Sequence, residues 1–198
     1  MITGIVLAAG ASERMGESKL LLPYRDGTVL DATIEAMVTS AVDRVIVVTG
    51  AGADGIEASI AVRFPSSSVI VVRNPDYRRG NMSSLLTATD GDPGAEAFVI
   101  VPGDMPAVRT SVIDLMVDLW GEESPWAAVA EYENRIAHPF LLSRAAVKSV
   151  EETSGEKVLG RLLIDSANDR VVRLNIAHDA PRDVNTPEDY EALDRRPE

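Results

Sequence analysis

The sequence contains no cysteine, which excludes a disulfide framework, a thiol nucleophile, a thiolate zinc site and an iron–sulfur cluster. Its two histidines, His138 and His178, are too few for a histidine-rich metal site, and its 3 lysines stand against 16 arginines. No apolar stretch approaches the roughly 18 residues of a membrane span, and the N-terminal MITGIVLAAGAS lacks the basic region of an export signal. A cytoplasmic protein without a membrane partner is therefore expected. Basic charge is also short: 19 Lys+Arg face 31 Asp+Glu, a net charge of −12. Such a surface does not attract nucleic acid, so a polyanionic ligand needs a local basic site. Residues 1–99 carry 8 basic and 12 acidic groups, and residues 100–198 carry 11 and 19. The N-terminal half is the better place for an anion.

What is present is an ordinary globular composition of 45% hydrophobic residues over 198 positions, which fits one folded domain spanning 1–198. Ile2 to Ala8 is a nearly continuous apolar run, as in a strand buried on both faces. Comparable runs occupy Arg44 to Thr49, Ser68 to Val72, Ala97 to Pro102, Ala127 to Ala130 and Val171 to Leu174. Between them, Val29 to Ser40 places Leu30, Ile34, Met37 and Val38 on one helical face, and Thr110 or Ser111 can cap a helix through Trp120. Further helices are expected over Ala145 to Glu152 and Val158 to Ala167. Thr186-Pro187-Glu188-Asp189 has the cap, first-turn proline and acid of a last helix. The alternation of strand and helix through the first 120 positions predicts a three-layer α/β sandwich with a mainly parallel sheet, whose ligands sit at the carboxyl ends of the strands. Glu131 to Ser143 reads as a hairpin or an edge excursion.

Four loops carry chemistry-bearing residues. In LAAGASERMGESKLLLP, from Leu7 to Pro23, the small Ala8, Ala9 and Gly10 let backbone N–H groups approach a phosphate chain, and Arg14 and Lys19 add charge. The spacing lacks the adjacent Gly-Lys-Ser/Thr of a Walker A loop. Gly50 to Gly55 formally matches GxGxxG, but no acid follows the next strand to hold a ribose, so a helix start is expected there rather than a nicotinamide cofactor. NPDYRRGNMSSL offers Gly80, Ser83 and Ser84 to a nucleotide, with Ser83 as a plain helix cap the competing reading. In VPGDMP, Asp104 stands at a strand's carboxyl end, placed for Mg²⁺ coordination by oxygen or for an ordinary turn. Asp183 and Asn185, ahead of the last helix, could add oxygen ligands. His138, beside Arg135 and Pro139, is the remaining candidate.

LAAGASERMGESKLLLP, PGDMP, His138-Pro139-Phe140 and DVNTPEDY, in this order, resemble the MobA-like nucleotidyltransferases, and most closely the molybdenum cofactor cytidylyltransferases. The resemblance implies a Rossmann-like α/β/α sandwich of the nucleotide-diphospho-sugar transferase type, with a mostly parallel mixed sheet. It implies a Mg²⁺-dependent transfer of NMP from an NTP, CTP favoured over GTP, to a phosphorylated acceptor such as molybdopterin, with release of pyrophosphate. Ala8, Ala9, Gly10, Ser12, Arg14, Lys19, Gly80, Ser83 and Ser84 would then bind nucleotide. Lys19, Arg14 and Asp104 would be catalytic, Asp104 and Asp183 would hold the metal, and His138 would face the acceptor. A molybdoenzyme is the implied protein partner. NPDYRRGNMSSL resembles the family's NPxxxxGMxxSL segment. Three features depart from the family pattern: Asn81 is inserted where Gly80-Met would be expected, Asn185 replaces the usual second acid of the closing motif, and residues 155–163 match the family only loosely. A non-catalytic accessory protein for molybdoenzyme maturation, or a guanylyltransferase with another acceptor, are the alternatives.

Overall fold

The computed structural model describes residues 1–10, 18–65, 67–152, 163 and 169–193. Strands β1 (Ile2–Ala8), β4 (Arg44–Thr49), β5 (Ile70–Arg73) and β6 (Ala97–Pro102) lie parallel, with β1 between β4 and β6. The sheet continues through β8 (Ile136–Ser143), β7 (Ala127–Tyr132) and β9 (Val171–Ile176), giving the order β5-β4-β1-β6-β8-β7-β9. Only β8 runs against its neighbours, pairing antiparallel with both β6 and β7, while β7 and β9 are parallel. Two short strands, β2 (Pro23–Tyr24) and β3 (Gly27–Thr28), form a separate ribbon.

Alternation within each buried strand divides the core into two layers. Val6, Val47, Val99 and Val101 face one side, where Ile34 and Met37 of α1 (Val29–Val38), Ile56 and Ile60 of α2 (Ala53–Arg63) and Ile113 and Met116 of α4 (Thr110–Glu123) cover them. Ile5, Val48, Phe98 and Ile100 face the other, against Leu85 of α3 (Asn81–Asp90) and Val147 of α5 (Arg144–Glu152). This is the three-layer sandwich that the alternating pattern implies.

Several expectations need correction. Thr110 does not cap α4; Arg109 holds that position without a side-chain cap bond, and the Thr110 hydroxyl donates to the Ala36 carbonyl at 3.2 Å instead. The third strand begins at Ile70, two residues later than expected. Residues 131–143 do form a hairpin with β7, but not at an edge: β8 is central, and Phe140, Leu141, Leu142 and Ser143 are all buried. The helix expected over 158–167 lies outside the described residues, apart from the buried Leu163. The last helix, α6 (Pro187–Leu193), starts as read: Thr186 N–H donates to Asp189 Oδ2 at 2.9 Å and Asp189 N–H to the Thr186 hydroxyl at 3.2 Å.

The chain leaves β1 towards β4 on one side and returns to β6 on the other. In such a sheet the crevice beyond the carboxyl ends of the two divergent strands is where ligands sit. Here the β1 and β6 exits are joined directly, the Gly103 N–H donating to the Leu7 carbonyl at 2.8 Å.

Candidate active site

At the end of β1, Ala8 and Ala9 are buried and Gly10 is exposed. Ser12 and Arg14, both expected to bind nucleotide, lie outside the described residues. Ala9 is held by Gly50-Ala51 at the β4 exit, where the Ala51 N–H donates to the Ala9 carbonyl at 3.2 Å. A Cβ on Gly50 would stand 2.7 Å from Tyr77 Cβ and 2.9 Å from Ala9 Cβ. Gly50 is thus glycine because three chain segments converge there, and a dinucleotide fingerprint is not needed to explain it. The acids nearby are already engaged: Asp54 and Glu57 both bind Arg73, at 2.6 and 2.7 Å.

Beyond the β1 loop, Lys19 begins a 3-10 helix, Lys19–Leu21. Its ammonium donates to Asp104 Oδ2 at 2.5 Å and to Asn185 Oδ1 at 3.0 Å. Asn185 in turn donates through Nδ2 to Asp183 Oδ2 at 2.5 Å, and Arg135 lies 3.6 Å from the other oxygen of Asp183. An amide at 185 can accept from a cation and donate to a carboxylate at once, which a carboxylate cannot do. The loops carrying the two aspartates are joined by backbone, Val184 N–H donating to the Asp104 carbonyl at 2.9 Å. Val184 is fully buried. Since successive residues of an extended segment point to opposite sides, burying Val184 turns Asp183 and Asn185 together towards Lys19. The structure therefore unites Lys19, Asp104, Asp183 and Asn185, drawn from three distant parts of the chain.

The Lys19 and Asp104 side chains are 15% and 16% exposed. Lys19 is thus not the solvated loop residue that its neighbourhood suggests. Asp104 Oδ1 is buried and has no hydrogen-bond partner. An orphaned carboxylate oxygen, linked through Lys19 and Asn185 to a second carboxylate, suits Mg²⁺, which is usually held by one or two carboxylates with the rest of its shell from phosphates and water. Among the described residues no group of three or more His, Asp or Glu is placed to hold a metal ion.

His138 is aimed by a break in the ladder. Pairing passes from Val129–Phe140 to Ala130–Ala137, leaving His138 and Pro139 unpaired. Because the Ile100 carbonyl can only accept, His138 Nδ1 carries the proton of their 3.0 Å bond, and Nε2 retains its lone pair. Burial pushes the imidazole down to about 4, against a weaker opposing pull from that hydrogen bond and from Asp183. It is neutral at physiological pH. In the unfolded chain the ring takes a proton near pH 6.5, so below that value the unfolded state binds a proton that the native state refuses. Stability should fall as pH drops from about 6.5 to about 4, with a dependence approaching one proton, and be flat in this respect above pH 7. Urea unfolding of the wild type and His138→Asn across this range checks the point; parallel profiles would refute it.

In NPDYRRGNMSSL the hydroxyls face inward. The buried Asn74 donates to Ser83 Oγ at 2.9 Å and to Ser84 Oγ at 3.0 Å, and Ser83 donates on to the Gly80 carbonyl at 2.9 Å. Gly80, not Ser83, precedes α3, with φ of +92° that disfavours any side chain. Both serines thus brace the loop, and Asn74 emerges as its anchor. Asn74 opens this motif at a strand's carboxyl end, but its anchoring role shows only in the fold.

The family model for the MobA-like NTP transferase domain matches residues 4–171. The chain is 28% identical over 188 residues to the molybdenum cofactor cytidylyltransferase of Escherichia coli (strain K12), covering 94% of this chain and 92% of the relative. The crystal structure of Rv0371c from Mycobacterium tuberculosis H37Rv superposes with a TM-score of 0.82 at 32% identity, covering 97% of this chain and 96% of that one. A second structure of that protein, in complex with manganese, gives a TM-score of 0.78 at 29% identity, covering 97% of each chain.

Proposed function

The chain belongs to the MobA-like NTP transferase family and is a nucleotidyltransferase, and from this premise we propose that it moves CMP from CTP to a phosphorylated acceptor of the molybdopterin type. The observation that carries the reading is the Lys19–Asp104–Asn185–Asp183 cluster at the carboxyl edge of the sheet. The similarity to a molybdenum cofactor cytidylyltransferase supports the choice of base and acceptor. An acceptor oxygen attacks the α-phosphorus in line and pyrophosphate leaves. This transfer needs positioning and charge neutralisation more than a side-chain nucleophile, in keeping with a chain that has no cysteine.

Each residue then has a defined task. Backbone N–H groups at Ala9 and Gly10, with Arg14 and Ser12, hold the phosphate chain. Gly80, Ser83 and Ser84 shape the wall towards the base. Lys19 neutralises charge on the departing pyrophosphate, leaving its contact with Asp104 as the nucleotide arrives. Asp104 and Asp183 would hold Mg²⁺, which when bound offsets phosphate charge and orients the reacting oxygens. Neutral His138 presents a lone pair towards the acceptor side, its ring packed 3.9 Å from that of Phe140. No helix among the described residues is long and apolar enough to cross a membrane, and a single catalytic domain working in the cytoplasm, serving a molybdoenzyme, completes the reading.

Pyrophosphate release with purified acceptor tests it. CTP should exceed GTP by at least about tenfold in kcat/KM, near 1.4 kcal/mol of discrimination. A preference for GTP would reassign the base. Equal use of all four NTPs would show that the base is not read, and nucleotide binding without release would favour an accessory protein.

A further inference from the structure

We propose that the protein has a second ligand site, for a small organic phosphate, in a cavity of about 700 Å³ between the Asp104 turn, the β2–β3 ribbon and α6. Its lining includes Arg25, Arg109 and Arg182 together with the rings of Tyr24, Tyr132 and His178. None of Lys19, Asp104, Asp183, Asn185 or His138 is among the lining residues, so the cavity is not the reaction centre.

The arginines make the argument. In a chain of net charge −12, several basic side chains find carboxylates: Arg44 with Asp92, Arg63 with Asp26, Arg73 with Asp54 and Glu57, Arg135 with Asp183. Among the described residues, Arg25, Arg109 and Arg182 have no carboxylate within ion-pair distance, although all three are exposed. They arise from three separate segments and meet at one concavity. Two carboxylates also line it. Asp189 is committed to the cap of α6 through Thr186 and Asn185, and Asp179 is exposed. Three planar, always-charged donors lining one pocket suit a phosphate, which a guanidinium binds with paired hydrogen bonds.

The rings extend the match beyond inorganic phosphate. Tyr132 and His178 sit with centroids 5.4 Å apart, and the Arg25 guanidinium lies 5.3 Å from the Tyr24 centroid. Tyr24 and Tyr132 are buried and His178 half-buried, so these rings form an apolar floor against which an organic group can rest while the guanidinium groups hold its phosphate. The walls are also the chain that carries the reaction centre: Pro106 to Arg109 follow Asp104 closely, and Pro181 and Arg182 directly precede Asp183.

Calorimetric titration of the full chain with phenyl phosphate, in the presence of a chelator, tests the proposal. Binding should persist within about twofold in Lys19→Met, which weakens the nucleotide site, and weaken by at least about tenfold in Arg109→Glu/Arg182→Glu. Should charge reversal prevent folding, Arg109→Gln/Arg182→Gln supplies the same comparison at lower electrostatic cost. Inorganic phosphate should bind at least about threefold more weakly than phenyl phosphate. The proposal is overturned if binding is lost in Lys19→Met, if it is unchanged in the arginine variants, or if the two probes bind equally.

Discussion

Replacing Asp104 with asparagine is expected to lower kcat for nucleotidyl transfer by about 10²- to 10³-fold, or roughly 3–4 kcal/mol of transition-state stabilisation. The side chain keeps its shape but loses the charge that meets Lys19 at 2.5 Å, and it loses one of the carboxylate oxygens, of which Oδ1 is buried without a partner. Asp183→Asn should fall by a similar factor. The two aspartates are tied through Asn185 and through the Val184–Asp104 backbone bond, so the double variant should be little slower than either single one, as for residues that act as a unit. Purified variants compared by pyrophosphate release at saturating NTP would show this. Additive losses, or full activity in Asp104→Asn, would dismiss a shared site.

Lys19→Met should raise KM for NTP about 10- to 100-fold, the value of about 1.5–3 kcal/mol for one charge-assisted contact with phosphate. Methionine retains most of the aliphatic stem and removes only the ammonium. A second effect follows from the low exposure of the pair, 15% and 16%. Without its cation, Asp104 is left as a largely buried charge, so thermal stability of the free protein should also fall. An unchanged KM would remove Lys19 from the nucleotide site. An unchanged melting temperature would mean that the contact contributes nothing to the resting fold.

The parts of this molecule that could be read in its sequence are those whose signals are local. The apolar run Ile2–Ala8 became the central strand because only a strand buried on both faces tolerates so few polar groups. Thr186-Pro187 and Asp189 started α6 because a capping box is complete within four residues. The placement of β8 was not legible, since its insertion between β6 and β7 depends on pairing with residues about forty positions away in the chain. Lys19 was visible as a charge in a glycine-rich loop, whereas its low exposure required the return of residues 183–185, which no local pattern encodes. Arg25, Arg109 and Arg182 were passed over for the same reason: each is unremarkable among its neighbours and acquires meaning only from what the fold brings beside it.

The bond between the Val184 N–H and the Asp104 carbonyl uses no side-chain atom, and it has a consequence for how such a site changes over generations. The spacing of the two acid-bearing loops is set by peptide groups that every residue except proline supplies at position 184. Side chains at 104, 183 and 185 are therefore free to vary without the loops drifting apart, as the amide at 185 illustrates in the place where the family pattern has an acid. A substitution at one of these positions is thus tried on a frame that does not have to be rebuilt.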